Sequence, residues 1–293
     1  MYRRFYRLTR SPFELSPDPY FFYPTRHHNE AFAMLNYCVV RRKGFVVVSG
    51  EVGTGKTLML RCLLDALNRG QIASAFVYNP RLSVTEFLAY VLTDLHLPFT
   101  GRTKGEMLAQ LNEYLLARSQ RGSTTVLVVD EAQLLSWELL EEIRLLTNLE
   151  TSQHKLLQIV LVGQPELDRK IDSNKLRQLK QRIAMRCRLE PLGLEDLSGY
   201  IHRRLELAGA TPGATIFSKE AIEAIYAFSA GIPRLANTLC ENSLISGYGS
   251  QAKYITPEIV QEVAIDLRLN LSPDPSVARS EVLEGRQKAV EAL

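Results

Sequence analysis

Cysteine is scarce in this chain: four residues of 293, at positions 38, 62, 187 and 240. They lie far apart, with none of the paired spacings of a zinc site or a redox dithiol. Reduced and mostly buried thiols in a cytosolic protein are therefore expected, not a disulfide framework. The five histidines form one adjacent pair, His27 and His28, and no set of ligands for a structural metal. Long apolar runs are also missing. Stretches such as 156–163 fall well short of the ~18–20 residues that a membrane helix needs, and the opening MYRRFYRLTR lacks the apolar run of a signal peptide. A spanning or secreted protein is excluded on this reading. Net charge is only +3, too small by itself to imply a nucleic-acid partner. No internal repeat is present.

The composition that remains, 46% apolar and 23% charged, is that of a globular chain with material for one large domain or two modest ones. Eight of the 24 aromatic residues lie within the first 23 positions, interleaved with Pro12, Pro17 and Pro19. Prolines this dense forbid a regular helix, so 1–28 reads as an extended strap whose aromatic pegs cover an apolar face of the core. Helical spacing starts near Asn29.

From there, short apolar runs alternate with amphipathic stretches. Strands are expected at 45–49, 72–78, 125–129 and 157–163, and helices at 56–68, 84–95, 104–119 and, capped by Ser136, to about 149. Continuous apolar strands alternating with helices predict an α/β fold with a parallel sheet covered on both faces. After Arg188 the character changes. Helices are expected at 194–207, 219–228, 233–247 and 257–269, with no convincing strand among them. The domains are accordingly the strap 1–28, an α/β domain 29–190, a small all-α lid 191–269 and a flexible tail 270–293.

Two motifs carry chemistry. Gly50-Glu51-Val52-Gly53-Thr54-Gly55-Lys56-Thr57, running into Leu58, matches G-x-x-x-x-G-K-[ST] between a strand and a helix, the setting of a phosphate-binding P-loop. Glycines let backbone N–H groups surround phosphate oxygens at the positive end of a helix. Lys56 would reach the β- and γ-phosphates of ATP, and Thr57 would hold Mg²⁺. The second motif is the apolar run Val126-Leu127-Val128-Val129 ending in Asp130-Glu131. Asp130 would share the Mg²⁺, and Glu131 would orient or deprotonate an attacking water. An adjacent Glu favours hydrolysis over a small-molecule kinase.

With Asp130-Glu131-Ala132-Gln133 and Leu161-Val162-Gly163-Gln164-Pro165-Glu166-Leu167, the chain resembles the ExeA/GspA-type AAA+ ATPases of bacterial secretion and envelope assembly. The strap motifs Tyr2-x-x-Phe5-x-x-Leu8 and Pro12-Phe13-x-Leu15-x-Pro17-Asp18-Pro19, and Asn79-Pro80-Arg81-Leu82-Ser83, are similar to that family as well. The resemblance covers about residues 1–268. It implies a P-loop AAA+ domain with a helical lid, nucleotide between them, and a homo-oligomer that hydrolyses ATP. Its partners would be envelope or inner-membrane assembly proteins of secretion, pilus or exopolysaccharide systems. It places Gln164 as sensor 1, against the plainer reading of a surface glutamine. Arg186 takes the place of the finger that reaches a neighbour's γ-phosphate, with Arg182 as runner-up. Arg234 is the sensor 2 residue of Gly231-Ile232-Pro233-Arg234, where a cation at a helix start costs ~0.3–1 kcal/mol unless an anion is near.

Fuller members carry a transmembrane segment and a peptidoglycan-binding domain after the ATPase. Neither is found in these 293 residues, which implies a cytoplasmic layout, peripheral at the inner membrane. The basic run 169–188, eight Lys or Arg against one Asp, reads as a solvated helix face. It also supports a second function of another class, a DNA-bound ATP switch of the TniB/TnsC type, which shares the fold.

Overall fold

A computed structural model describes residues 1–16, 18–68, 72–98, 103–211 and 213–269. The tail expected from 270 onward lies outside the described residues. In chain order the elements are α1 (Tyr2–Phe5), α2 (Arg26–Val40), β1 (Phe45–Gly50), α3 (Lys56–Asn68), β2 (Ala73–Val77), α4 (Val84–Asp94), α5 (Lys104–Gln120), β3 (Thr125–Val129), α6 (Trp137–Leu146) and β4 (Leu157–Gly163). There follow α7 (Pro165–Ile171), α8 (Arg177–Lys180), β5 (Met185–Leu189), α9 (Leu194–Leu207), α10 (Lys219–Ser229), α11 (Pro233–Gly249) and α12 (Pro257–Asp266). They fall into two compact units, Pro24–Glu190 and Met1–Tyr23 with the chain from Pro191.

The α/β unit holds a five-stranded parallel sheet in the order β2-β3-β4-β1-β5. Strand side chains alternate between two buried layers. Phe45, Val47, Leu127, Val129, Ile159 and Leu161 face a core shared with α4, α5 and α6. Val46, Val48, Val126, Val128, Val160 and Val162 face the one shared with α2 and α3. Covering on both faces explains why these strands read as continuous apolar runs. Local chemistry sets the helix starts. Ser83 and Glu86, and Thr103 and Glu106, form reciprocal capping boxes, and the Ser136 hydroxyl accepts from the Leu139 N–H.

The basic run is not a single helix face. Its last four residues belong to β5, an edge strand paired with β1 through Val47↔Arg186 and Val48↔Cys187. Cys187 and Leu189 are buried while Arg186 and Arg188 point outward. This is period-two alternation that charge had masked, and charged side chains on an edge strand discourage pairing with other chains.

The helical unit contains α9–α12, as expected, together with most of the strap. The strap is not wholly extended: it opens with the short α1 and closes with a 3₁₀ turn at Pro19–Phe21 capped by the Asp18 side chain. Helix α2 starts at Arg26, so the last residues assigned to the strap belong to it. Tyr6, Leu8, Phe13 and Phe21 are buried in the helical core, with Phe13 edge-on to Phe217 at 6.0 Å between ring centroids. Burying one such ring stabilises by ~1.5–3 kcal/mol. The strap is also held by a buried cation. Arg204 donates to the Pro12 carbonyl at 2.5 Å and the Tyr200 hydroxyl at 2.8 Å, and lies 4.7 Å over the Phe21 ring.

Arg204→Ala should therefore lower stability by about 2–4 kcal/mol, since it strips a buried carbonyl of its donor and opens a void. Thermal or urea unfolding measures the loss, and faster proteolysis within residues 1–16 should accompany it. An unchanged strap cleavage rate would contradict this account.

Candidate functional site

Three neighbouring strands end at one place. The register pairs Ser49 of β1 with Gly163 of β4, and Leu161 of β4 with Val129 of β3. The residues just beyond these ends are the glycine-rich loop, Gln164 and Asp130-Glu131, so the parallel sheet gathers three of the sequence motifs on one rim.

In the loop, Gly53 and Gly55 have φ of +84° and +92°, values that L side chains rarely adopt. The Thr54 side chain is buried and donates to the Glu51 carbonyl at 2.8 Å. Lys56, at the start of α3, is buried as well. Its ammonium donates to the carbonyls of Gly50 at 2.7 Å and Glu51 at 2.8 Å. Burial pulls the Lys56 ammonium below its usual range, against the opposing pull of Glu131, Asp130 and Glu51. A cation disfavoured in this way, beside the backbone of a glycine-rich loop at a helix start, suits an anionic ligand.

Asp130 is also buried. It accepts from the Thr57 hydroxyl at 2.9 Å and from the Glu131 N–H at 2.9 Å. Burial raises the Asp130 carboxyl despite those donors and Lys56. The Thr57 hydroxyl and Asp130 carboxylate are a pair of hard oxygen donors, the type that suits Mg²⁺. Glu131 follows with left-handed backbone, φ +50°. Its Oε2 accepts from Gln164 Nε2 at 3.2 Å and from Gln133 Nε2 at 2.5 Å. Gln164, expected as sensor 1, thus lies against the carboxylate rather than opening an isolated surface loop.

The remaining expected residues are each placed within their own unit. Arg186, on β5, is ion-paired within the chain to Asp172 at 3.1 Å and to Asp168 at 3.7 Å. Arg182 is exposed in the turn before β5 and makes no ion pair among the described residues. Arg234 is exposed in the first turn of α11, in the helical unit. Leu58 is half-buried in α3.

Two contributors were not identified as site residues from sequence. In the sequence Gln133 stands only as the last residue of Asp130-Glu131-Ala132-Gln133. His28, buried in the first turn of α2, hydrogen-bonds the Thr25 side chain at 2.7 Å and approaches the Thr54 carbonyl at 3.4 Å, behind the loop. No spacing rule links residue 28 to residue 54.

Gly55→Ala tests the loop geometry. A Cβ there would meet only His28 Nε2, at an ordinary 3.5 Å, so the cost is conformational. About 1–2 kcal/mol of backbone strain should leave the protein folded and weaken ATP binding by about tenfold, read by titration calorimetry. Unchanged affinity would mean that the loop does not receive phosphate.

Residues 40–171 match the family model described as an AAA domain. General secretion pathway protein A of Aeromonas hydrophila is 42% identical over 249 residues, covering 85% of this chain and 45% of that protein. The chain thus spans a little under half the length of the curated relative it matches. Among solved structures the chain is similar to Cdc6p from Pyrobaculum aerophilum, with TM-score 0.64 and 21% identity, covering 84% of this chain and 70% of that one. It is similar also to the Drosophila ORC bound to DNA, with TM-score 0.65 and 19% identity over 89% of this chain and 67% of that one. At such identities the likeness concerns the fold. The sequence likeness extends over most of the chain, and it agrees with a sheet order and strand-end chemistry found independently: the chain belongs to the AAA+ family of P-loop nucleotide-binding proteins, as a relative of general secretion pathway protein A.

Proposed function

We propose that the chain hydrolyses ATP to ADP and phosphate with Mg²⁺, as an oligomer coupled to the assembly of bacterial secretion, pilus or exopolysaccharide machinery. The observation that carries the reading is the meeting of Lys56 and Thr57, Asp130 and Glu131, and Gln164 at three adjacent strand ends. The name of its relative, general secretion pathway protein A, supports the biological setting.

In this reading the loop N–H groups and Lys56 bind the phosphates, and Thr57 with Asp130 holds the metal. Bound Mg²⁺ supplies charge to offset that of the phosphates. Glu131 takes a proton from the attacking water, which Gln164 helps to hold. Arg234 senses the γ-phosphate. The protein works in the cytoplasm, peripherally at the inner membrane. Among the described residues no helix is long and apolar enough to cross a membrane.

Turnover and binding should separate. Lys56→Ala should abolish ATP binding, because Lys56 contacts ground-state phosphates. Glu131→Gln should bind ATP normally and lose at least about 100-fold in turnover, because the carboxylate acts on water alone. Equal loss of affinity in both variants would sink the assignment.

The finger acts in trans, from a neighbouring subunit. Of the two candidates we favour Arg182 over Arg186, because Arg186 is engaged by Asp168 and Asp172 while Arg182 stands exposed before β5. Arg182→Ala should be almost inactive alone and regain turnover when mixed with Glu131→Gln, since some interfaces then join an intact base to an intact arginine. If only Arg186→Ala complements Glu131→Gln, the finger is Arg186. If neither does in mixed oligomers, the shared site is wrong.

The DNA-bound switch remains the second reading, but its main support is reduced. Within the basic run Arg169, Lys180 and Arg186 are paired to carboxylates, and Lys170 is bound to backbone carbonyls. DNA binding with a steep salt dependence would restore it.

A further inference from the structure

We propose that Gln133 is the positioning residue for the Glu131 carboxylate. This rests on the reading of Glu131 as the base, and no motif assigns Gln133 a part in the reaction.

Gln133 lies in the 3₁₀ turn Ala132–Leu134 directly after Glu131. Its Oε1 accepts the backbone N–H of Gln164 at 3.1 Å, and its Nε2 donates to Glu131 Oε2 at 2.5 Å. The orientation of the amide follows from chemistry. A backbone N–H can only donate and a carboxylate can only accept, so the oxygen end must face Gln164 and the nitrogen end must face Glu131. Gln164 Nε2 adds a second donor to the same Oε2 at 3.2 Å. Two N–H groups therefore hold one carboxylate oxygen. Glu131 Oε1 receives no hydrogen bond among the described residues and is the oxygen available to take a proton from water.

The surroundings are shaped for this clasp. A Cβ on residue 163 would lie 2.8 Å from Gln133 Oε1, so glycine at the end of β4 makes the space for the amide. The turn is fastened from outside by Lys170, whose ammonium donates to the Gln133 and Leu135 carbonyls. Lys170 also lies 5.3 Å from the centre of the Trp137 ring. Glu131 itself sits at φ +50°, a left-handed conformation that a non-glycine residue keeps only where neighbours hold it. Without the Gln133 amide the carboxylate keeps one donor and regains rotation about its side-chain bonds.

The test compares steady-state ATP hydrolysis, nucleotide affinity and melting temperature in full-length protein. Gln133→Met keeps the length of the side chain and removes the amide. Its kcat should fall about 10- to 100-fold, as displacement of a reacting group by about 1 Å does, with KM and ATP affinity unchanged. Gln133→Glu keeps the shape and sets a carboxylate against a carboxylate, so its loss should be at least as large. This second variant carries the test if the first unfolds. Because both amides act on one oxygen, Gln133→Met and Gln164→Leu combined should cost less than the product of their separate effects on kcat. Turnover within about twofold of the unsubstituted protein, with Glu131→Gln inactive, would overturn the role of Gln133 and leave the base in place. Parallel loss of ATP affinity, or fully multiplicative effects with Gln164→Leu, would show a merely structural role and overturn it as well. Full activity of Glu131→Gln would instead remove the base reading, and the positioning role with it.

Discussion

The position of β4 between β1 and β3 is the constraint on which the candidate site depends. In a parallel sheet all strands point the same way, so the loops leaving adjacent strands emerge side by side. The order β3-β4-β1 places the acidic pair on one side of Gln164 and the glycine-rich loop on the other. The separation of the two outer strands by a single strand leaves Thr57 and Asp130 within a 2.9 Å hydrogen bond although 73 residues part them. Had β1 and β3 been direct neighbours, no strand end would lie between them to carry Gln164 to Glu131.

The electrostatics of this rim are unbalanced in a consistent way. Burial works against the charged forms of both Lys56 and Asp130, pulling the ammonium down and the carboxyl up. Hydrogen bonds from Thr57 and from backbone groups only partly offset it. A site built for stability alone would place an aliphatic pair there, since burying charge is costly. Its cost is explicable when triphosphate and Mg²⁺ supply the missing charges, as in the proposed reaction. The Glu131 backbone strain belongs to the same pattern, and the clasp formed by the Gln133 and Gln164 amides would hold it.

The helical unit solves a different problem. Four helices leave an apolar surface that the strap covers with Tyr6, Leu8, Phe13 and Phe21, although these residues precede the helices by nearly two hundred positions. Arg204 reinforces that cover by donating to a strap carbonyl from within the core and lying against aromatic faces. A buried guanidinium tolerates this setting because its several N–H groups are directed at oxygen and its plane stacks on rings.

Much of this was legible from local pattern. The phosphate loop, the acid at the end of β3 and the bounds of β3, β4 and α9 follow from apolar periodicity and cap residues, which act over a few positions and need no knowledge of the rest of the fold. The aromatic strap likewise announced that it must cover something apolar. What it covers, the edge strand β5 within a basic run, the ion pairs that occupy Arg186 and the placement of Gln133 were decided only in three dimensions. Each depends on partners brought together by the sheet or the helical core, such as Gln133 and Gln164 across 31 positions or Arg186 and β1 across more than a hundred. Spacing along a chain specifies which way a side chain points from its own element; tertiary packing determines which group it meets there.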